Sequence, residues 1–515
     1  MAHAASPDAI DPPPPLSGPM MVAAGLILAM ANFLVVLDTT IANVSVPNIA
    51  GALAVSPDQG TWVITSYSVA EAVTVPLTGW LASRFGSVKV FVGGMFGFGI
   101  FSFLCGLAPS LGVLVVFRIL QGLCGGPMIP LTQTLLLRVF PKKLAAAATG
   151  IWAITTLTAP ILGPILGGVL CDNVGWSYIF WINVPIAIVS AWLAWNILRN
   201  FETPRLLARI DAVGLGLLVF WVACLQVMLD LGKDRDWFAS PLIVALGLGA
   251  VIGFVVFLIW ELTDKNPIVN LRVFRHRGYA AAVTTLALGF GAFFGINVLT
   301  PLWLQQNFGY TATWAGLVSA QLGITAVFAA PLASMLATKV DVRRLVFLGL
   351  FWMGAITILR GQMTSQASFF GISRLLLLQG PAMPFFFVPL TGLALASVNI
   401  EETAAAAGLM NFCRTLAGAV ATSVVTTAWD NHTNQRHSDL AGTLNGAQRA
   451  IDQFATFGLG AGRARGVVDQ LVQQQSVMRA TNELFMAAAA VFIVAAWTIW
   501  LAPKPTRVAD TSAAH

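Results

Sequence analysis

Paired cysteines, intramembrane histidines and charge are what this sequence has least of. Its five cysteines (Cys105, Cys124, Cys171, Cys224, Cys413) are odd in number, widely spaced and form no CxxC, which excludes a disulfide framework and leaves them as small core residues. The five histidines (His3, His276, His432, His437, His515) all fall in predicted loops or tails. Haem ligation and an intramembrane His metal site therefore have no candidates, and neither metal nor cofactor is expected. No GxxxxGK[ST] loop is present to take a nucleotide phosphate. Charged residues are only 10% of the 515, against 57% hydrophobic. That is too apolar for a soluble domain and matches the polytopic membrane class. The net charge of +6 is not gathered into a basic patch with interleaved aromatics, so no nucleic-acid partner is expected.

What the chain has is long apolar runs. Residues 1–19 contain a PPPP run, Asp8, Asp11 and no basic residue, so they lack a signal peptide's positive region and read as a short disordered tail before an uncleaved first helix. From there, stretches of about 20 apolar residues, enough to cross a bilayer, recur near 20–42, 60–82, 88–107, 111–137, 145–170, 177–198 and 212–230, then near 241–262, 279–303, 312–337, 345–361, 371–397, 404–428 and 483–502. The expected fold class is an all-α polytopic membrane protein of fourteen spans with both termini on one side. Lys and Arg assign the side. One set of connections holds Arg84, Lys89, Lys142, Lys143, Arg199, Arg272, Arg275, Lys339 and Arg343 among others, whereas the opposite short loops hold only Lys233 and Arg235. Both termini are expected in the cytoplasm, with residues 503–515 as a second tail.

An internal repeat divides the chain. PLTGWLASRFGSVK (76–89) aligns without gaps to PLASMLATKVDVRR (331–344), and QG followed by PLT recurs at Gln121–Thr132 and Gln379–Thr391. Duplicated halves are typical of secondary transporters, with the site between the repeats. The halves are expected at 20–198 and 279–502, with two inserted helices and their flanking loops at 199–278. Residues 429–482 read as a polar periplasmic connection with helical patches near 440–457 and 467–479, either a docking surface or a solvated cap.

Few charges lie inside the spans. Asp38 sits deep in the first, where a carboxylate costs about 2.5–3.5 kcal/mol at insertion and persists when it has a use. Counting about 1.5 Å per residue places Asp38 and Arg118 in the same, periplasmic half. A buried carboxylate beside an arginine changes its protonation when a water path opens or closes, which is what proton coupling needs; a static ion pair locking spans 1 and 4 is the other reading. Glu71 and Arg414 both fall near the midplane, from opposite halves. Glu71 is either a proton carrier or cation contact, or a protonated group bonded between helices; Arg414 either suits an anionic substrate or acts as a counter-charge, or is structural. Arg360 and Arg374 read as interfacial. Chosen by depth, Phe33, Tyr67, Gln121, Trp152, Phe290, Phe294, Asn297 and Asn411 are candidates for the walls of a pocket for apolar compounds, although with 33 Phe and 16 Trp each aromatic also fits a core or lipid-facing place. Ala159, Gly163 and Gly167 recur at four-residue spacing with Pro160 and Pro164 between, which suits close helix packing or a rocking helix.

Several of these stretches resemble the major facilitator superfamily. GWLASRFGSVK, with Gly79, Arg84 and Gly86, is similar to its signature loop; RILQGLCGGPMIPLTQ, with Arg118, resembles its fourth-span motif; GPILGG (Gly163, Pro164, Gly167, Gly168) is similar to the antiporter motif of its drug-exporting branches. LDTTIANVSVPNIA followed by QGTWVITSY resembles the fourteen-helix drug:proton antiporters. The signature loop usually carries Asp where this chain has Ser83, so any ion pair of that Asp is absent. The resemblance implies multidrug efflux by proton antiport across a bacterial inner membrane, not an enzyme. Asp38, Glu71, Arg118 and Arg414 would couple the proton gradient to movement of small-molecule drugs. It also implies work with an EmrA-type periplasmic adaptor and a TolC-type outer-membrane channel. A dedicated exporter of one metabolite or fatty acid is the alternative, and a non-transporting membrane enzyme or receptor subunit a lesser one.

Overall fold

The computed structural model describes residues 16–141, 144–205, 211–310, 312–443 and 460–504; the rest, including most of both tails and the middle of the 429–482 stretch, lies outside the described residues. The described chain is helical, with no strand. Uninterrupted apolar runs dictate this, because a backbone in hydrocarbon must satisfy its own N–H and C=O groups within each segment.

The spans run in chain order. Span 1 is Gly18–Ala52, span 2 is Trp62–Thr74 continued by Thr78–Phe85, span 3 is Ser87–Gly106, and span 4 is Leu111–Gly125 continued by Met128–Val139. Span 5 is Ala145–Asn173, span 6 is Asn183–Leu198, and the inserted spans 7 and 8 are Ala212–Leu231 and Pro241–Thr263. Spans 9, 10 and 11 are Arg277–Phe308, Ala312–Lys339 and Val342–Arg360. Span 12 is Phe369–Gln379 continued by Ala382–Ala396, span 13 is Thr403–Thr443, and span 14 is Ala461–Thr498. Twelve of these are long and apolar enough to cross a membrane, and a bent pair in span 5 makes thirteen. Span 2, interrupted at Val75–Leu77, completes the fourteen.

The breaks have chemical causes. Proline has no N–H to give the helix ladder and its ring crowds the preceding turn. Span 2 parts around Pro76, while spans 4 and 12 part at Gly126–Pro127 and Gly380–Pro381, a Gly-Pro step in each half. Span 5 bends by 43° between Ala147–Pro160 and Ile165–Cys171, around the GPILGG run; the side chain of Pro164 is outside what is described.

The polar stretch 429–482 is mostly not a separate connection. Span 13 runs on as 41 residues of helix and span 14 as 38, each about 60 Å at 1.5 Å per residue against a hydrocarbon core of about 30 Å. Both therefore leave the bilayer as a helical stalk. Arg436 pairs with Glu483 at 2.6 Å and His432 with Glu483 at 2.7 Å, His437 with Asp469 at 3.2 Å, and the Trp429 indole donates to Thr481 at 2.9 Å. Charge was enough to end an apolar run in the sequence, but not to end the helix.

The inserted spans 7 and 8 pack on each other and span 7 lies along spans 2 and 13. The Trp221 and Phe412 rings meet at 5.8 Å, the Ser423 hydroxyl donates to the Leu229 carbonyl at 2.9 Å, and Lys233 pairs with Asp430 at 2.7 Å. They thus flank the seam between the two halves rather than hang from one of them. At the basic end of the bundle the halves touch closely. A Cβ on Gly79 would come within 2.7 Å of Ala405 Cα, and one on Gly408 within 2.8 Å of the Val75 carbonyl. Gly150 likewise abuts the Ser334 hydroxyl.

Candidate transport site

Two buried charge constellations lie in this frame. The first is inside the N-terminal half. Arg118, which has no exposed surface, donates from Nη1 to Asp38 Oδ2 at 2.6 Å and to Gln121 Oε1 at 2.8 Å, and from Nε to the Val63 carbonyl at 3.0 Å. Gln121 Nε2 donates to Asp38 Oδ1 at 3.1 Å, and Asn183 Nδ2 donates to the same oxygen at 2.7 Å. Asn183 also reaches Ser102 Oγ at 3.2 Å, and Ser102 donates to the Phe180 carbonyl at 2.8 Å. The Tyr67 ring covers the guanidinium at 4.2 Å and the Phe180 ring at 5.5 Å. Removing two charges from water costs several kcal/mol each, repaid only by good geometry and further hydrogen bonds. Here every interaction of that kind is present.

The second constellation lies at the seam between the halves. Glu71 on span 2 and Arg414 on span 13 are both buried and within range of one another's charge, yet they form no ion pair within 4 Å. Arg414 is held between the ring faces of Trp152 at 5.5 Å and Phe290 at 5.3 Å, and its Nη1 is buried without a hydrogen-bond partner. Phe387 meets Trp152 at 5.3 Å and Phe290 at 4.8 Å in tilted contacts, and Phe294 meets Phe290 at 5.7 Å. Asn411, one turn from Arg414, donates across the seam to Gln133 at 2.8 Å. Aromatic rings around a buried cation with an N–H to spare are suited to amphipathic molecules.

Depth alone sorted the sequence candidates imperfectly. Trp152, Phe290, Phe294 and Asn411 do gather around Arg414. Tyr67 and Gln121, expected in pocket walls, instead serve the Asp38–Arg118 pair. Phe33 packs beside the apolar cluster next to that pair, and Asn297 lines a separate small cavity in the C-terminal half with Arg360. Arg360 is not interfacial: it is 2% exposed, because span 11 closes inward on Gln379 and Thr300. Sequence reasoning missed Asn183, Ser102, Gln133 and Phe387. A lone Asn in WINVPIAIV was the available signal, since an amide persists in such a run when it has a partner.

The glycines divide in the same way. Gly163 abuts Thr40, and a Cβ on Gly167 would meet the Ile41 carbonyl at 3.1 Å, so span 5 presses against span 1 within one turn of Asp38. Asn32 reinforces that contact, donating to the hydroxyls of Thr155 and Thr156 at 2.8 Å. Gly168 has open space around it. Gly86 sits at φ +94, a region costly for other residues, and there the Glu202 carboxylate caps span 3 through the Val88 N–H at 2.9 Å. Ser83, in place of the usual Asp, turns back to the Trp80 carbonyl at 2.9 Å.

The family model described as Major Facilitator Superfamily matches residues 28–422. The chain belongs to the major facilitator superfamily. It is 42% identical over 496 residues to the multidrug export protein EmrB of Escherichia coli (strain K12), covering 95% of this chain and 97% of that one. It is also 42% identical over 496 residues to the fatty acid resistance protein FarB of Neisseria gonorrhoeae, covering 96% and 98%. Among solved structures, the superfamily's proton:xylose symporter XylE superposes with a TM-score of 0.59 at 14% identity, covering 94% of this chain and 96% of that one, a likeness of fold. Superfamily membership makes the chain a transporter rather than an enzyme, and a multi-pass membrane protein.

Proposed function

We propose that the chain is a proton-driven multidrug exporter of a bacterial inner membrane, moving hydrophobic or amphipathic toxic compounds outward, with both termini in the cytoplasm. The observation that carries this reading is the pairing of a fully answered carboxylate, Asp38 on Arg118, with an unanswered cation, Arg414, in an aromatic seat between the halves. In this reading a proton reaching Asp38 cancels the charge that Arg118, Gln121 and Asn183 hold, and the contacts between spans 1, 4 and 6 loosen. Span 5 links the events: Gly163 lies against Thr40 near Asp38, and Trp152 lies against Arg414. Each proton moving down about 100 mV supplies about 2.3 kcal/mol, enough to work against a drug gradient. Glu71 is assigned to the second site, as a cation contact or as a second proton carrier.

Similarity to EmrB supports export through a tripartite system with an EmrA-type periplasmic adaptor and a TolC-type outer-membrane channel. The second reading, a dedicated exporter of one metabolite or fatty acid, is supported by the equal identity to FarB and by the unanswered Arg414, which suits a carboxylate head. Dye or drug uptake into proteoliposomes under an imposed pH gradient, in the native chain, Asp38→Asn and Glu71→Gln, tests the proposal. Gradient-driven transport of several unrelated drugs is expected in the native chain. Transport of fatty acids alone would favour the second reading, and an undiminished rate in both variants would remove proton coupling from these residues.

A further inference from the structure

The repeat places a second buried arginine where it has no carboxylate. Extended without gaps along the span that follows, the alignment of 76–89 with 331–344 carries Cys105 onto Arg360, and the QG element carries Gln121 onto Gln379. In the N-terminal half Cys105 Sγ points to Gln121 Oε1 at 3.6 Å; in the C-terminal half Arg360 Nη1 donates to Gln379 Oε1 at 2.9 Å. Leu376 then stands where Arg118 does. The cation has moved from span 12, the counterpart of span 4, to its neighbour, span 11, without its acid: Arg360 Nη2 meets the Thr300 hydroxyl at 2.6 Å where Arg118 meets Asp38. The Phe485 ring at 4.4 Å and the Gln379 dipole solvate the guanidinium but leave its charge uncancelled. A guanidinium does not shed its proton, and an isolated buried charge is costly. Among the described residues no carboxylate lies within ion-pair distance of Arg360.

Beside it is a cavity of about 10 Å³, the space of one water-sized particle. Its polar lining is Arg360, Thr300, Asn297 and Ser319, with Phe293 and Leu376 on the apolar side. The Asn297 amide is engaged by no other hydrogen bond among the described residues. We propose that this cavity is a site for one small monovalent inorganic anion, of the size and charge of chloride, held by Arg360 and by the amide N–H of Asn297, the Ser319 hydroxyl being spent on the Ala315 carbonyl at 2.9 Å. The bound ion supplies the negative charge that Asp38 supplies in the other half, so that the repeats are balanced by different means. A drug-sized carboxylate does not fit the space.

Thermal unfolding of the full chain in detergent, titrating chloride against gluconate at constant ionic strength, tests this independently of any transport reading. The native chain should show a saturable rise of the midpoint with chloride, and bromide should substitute. Arg360→Gln should lose the rise. Because that variant is at risk of misfolding, Asn297→Leu, which keeps the cation, provides the second measurement. It should weaken the apparent chloride affinity about tenfold, the loss of one hydrogen bond to a charged group. A native midpoint indifferent to chloride, or a rise of equal size and affinity in Arg360→Gln or in Asn297→Leu, would overturn the site. Stabilisation by laurate without any by chloride would also overturn it, assigning the cation to a substrate carboxylate instead.

Discussion

Arg118 and Arg414 are both buried in the membrane part of the same molecule, and they are treated oppositely. Around Arg118 the fold supplies a carboxylate, a glutamine, a backbone carbonyl and two ring faces. Around Arg414 it supplies two ring faces, a carboxylate out of contact and an N–H with no acceptor. A completed site is one whose disturbance is felt by the helices that build it; an incomplete one is completed by something that arrives. In the proposed cycle the first site therefore reads protons and the second reads the transported compound.

The contrast is sharpest in stability. Arg118→Met leaves Asp38 buried with amide donors only and should cost about 3–5 kcal/mol, the usual effect of removing one partner of a buried pair. Arg414→Met removes a cation that has two ring faces but no ion pair or hydrogen-bonded acceptor and should cost less than about 1 kcal/mol or stabilise. Unfolding midpoints of the two variants in the same detergent check this, and equal losses would erase the distinction. In transport, Glu71→Gln should lower the rate for cationic drugs about tenfold, roughly 1.4 kcal/mol, with neutral drugs less affected. Initial rates for a matched cationic and neutral dye measure it. Asn183→Leu removes a 2.7 Å bond to Asp38 and should cost about 1.5–3 kcal/mol, as for hydrogen bonds to charged groups, with the midpoint falling accordingly. The smallest effect belongs to the linking helix. Gly168→Ala, with open space around it, should stay within about 0.5 kcal/mol of the native chain, whereas Gly163→Ala pushes span 5 off Thr40 and should slow transport while drug binding persists.

Spans and depth were legible in the sequence because both are one-dimensional. The length of an apolar run gives a crossing, and counting residues along it put Asp38 level with Arg118 and Glu71 level with Arg414. Azimuth was not legible. These helices are apolar on nearly every face, so no polar stripe tells which side faces the seam. For that reason Gln121 and Tyr67 could be placed at the right depth yet assigned to a pocket, when span 4 and span 2 turn them onto Asp38 and Arg118. Arg360 failed differently. Its place at the end of a run suggested the interface, and only the packing of spans 9, 11 and 12 around it reveals burial. The 429–482 stretch failed because hydropathy marks where a helix leaves lipid, not where it stops, and Arg436, Glu483 and Asp469 carry both helices on into a stalk.

The division of labour between the two sites is tested most directly by substrate counterflow beside gradient-driven uptake in Asp38→Asn proteoliposomes. Counterflow needs the compound to bind and the halves to rock, but needs no net proton movement. The account predicts that Asp38→Asn keeps counterflow and loses accumulation under a pH gradient. Accumulation at the native rate in Asp38→Asn would contradict it and return the Asp38–Arg118 pair to the role of a lock between helices.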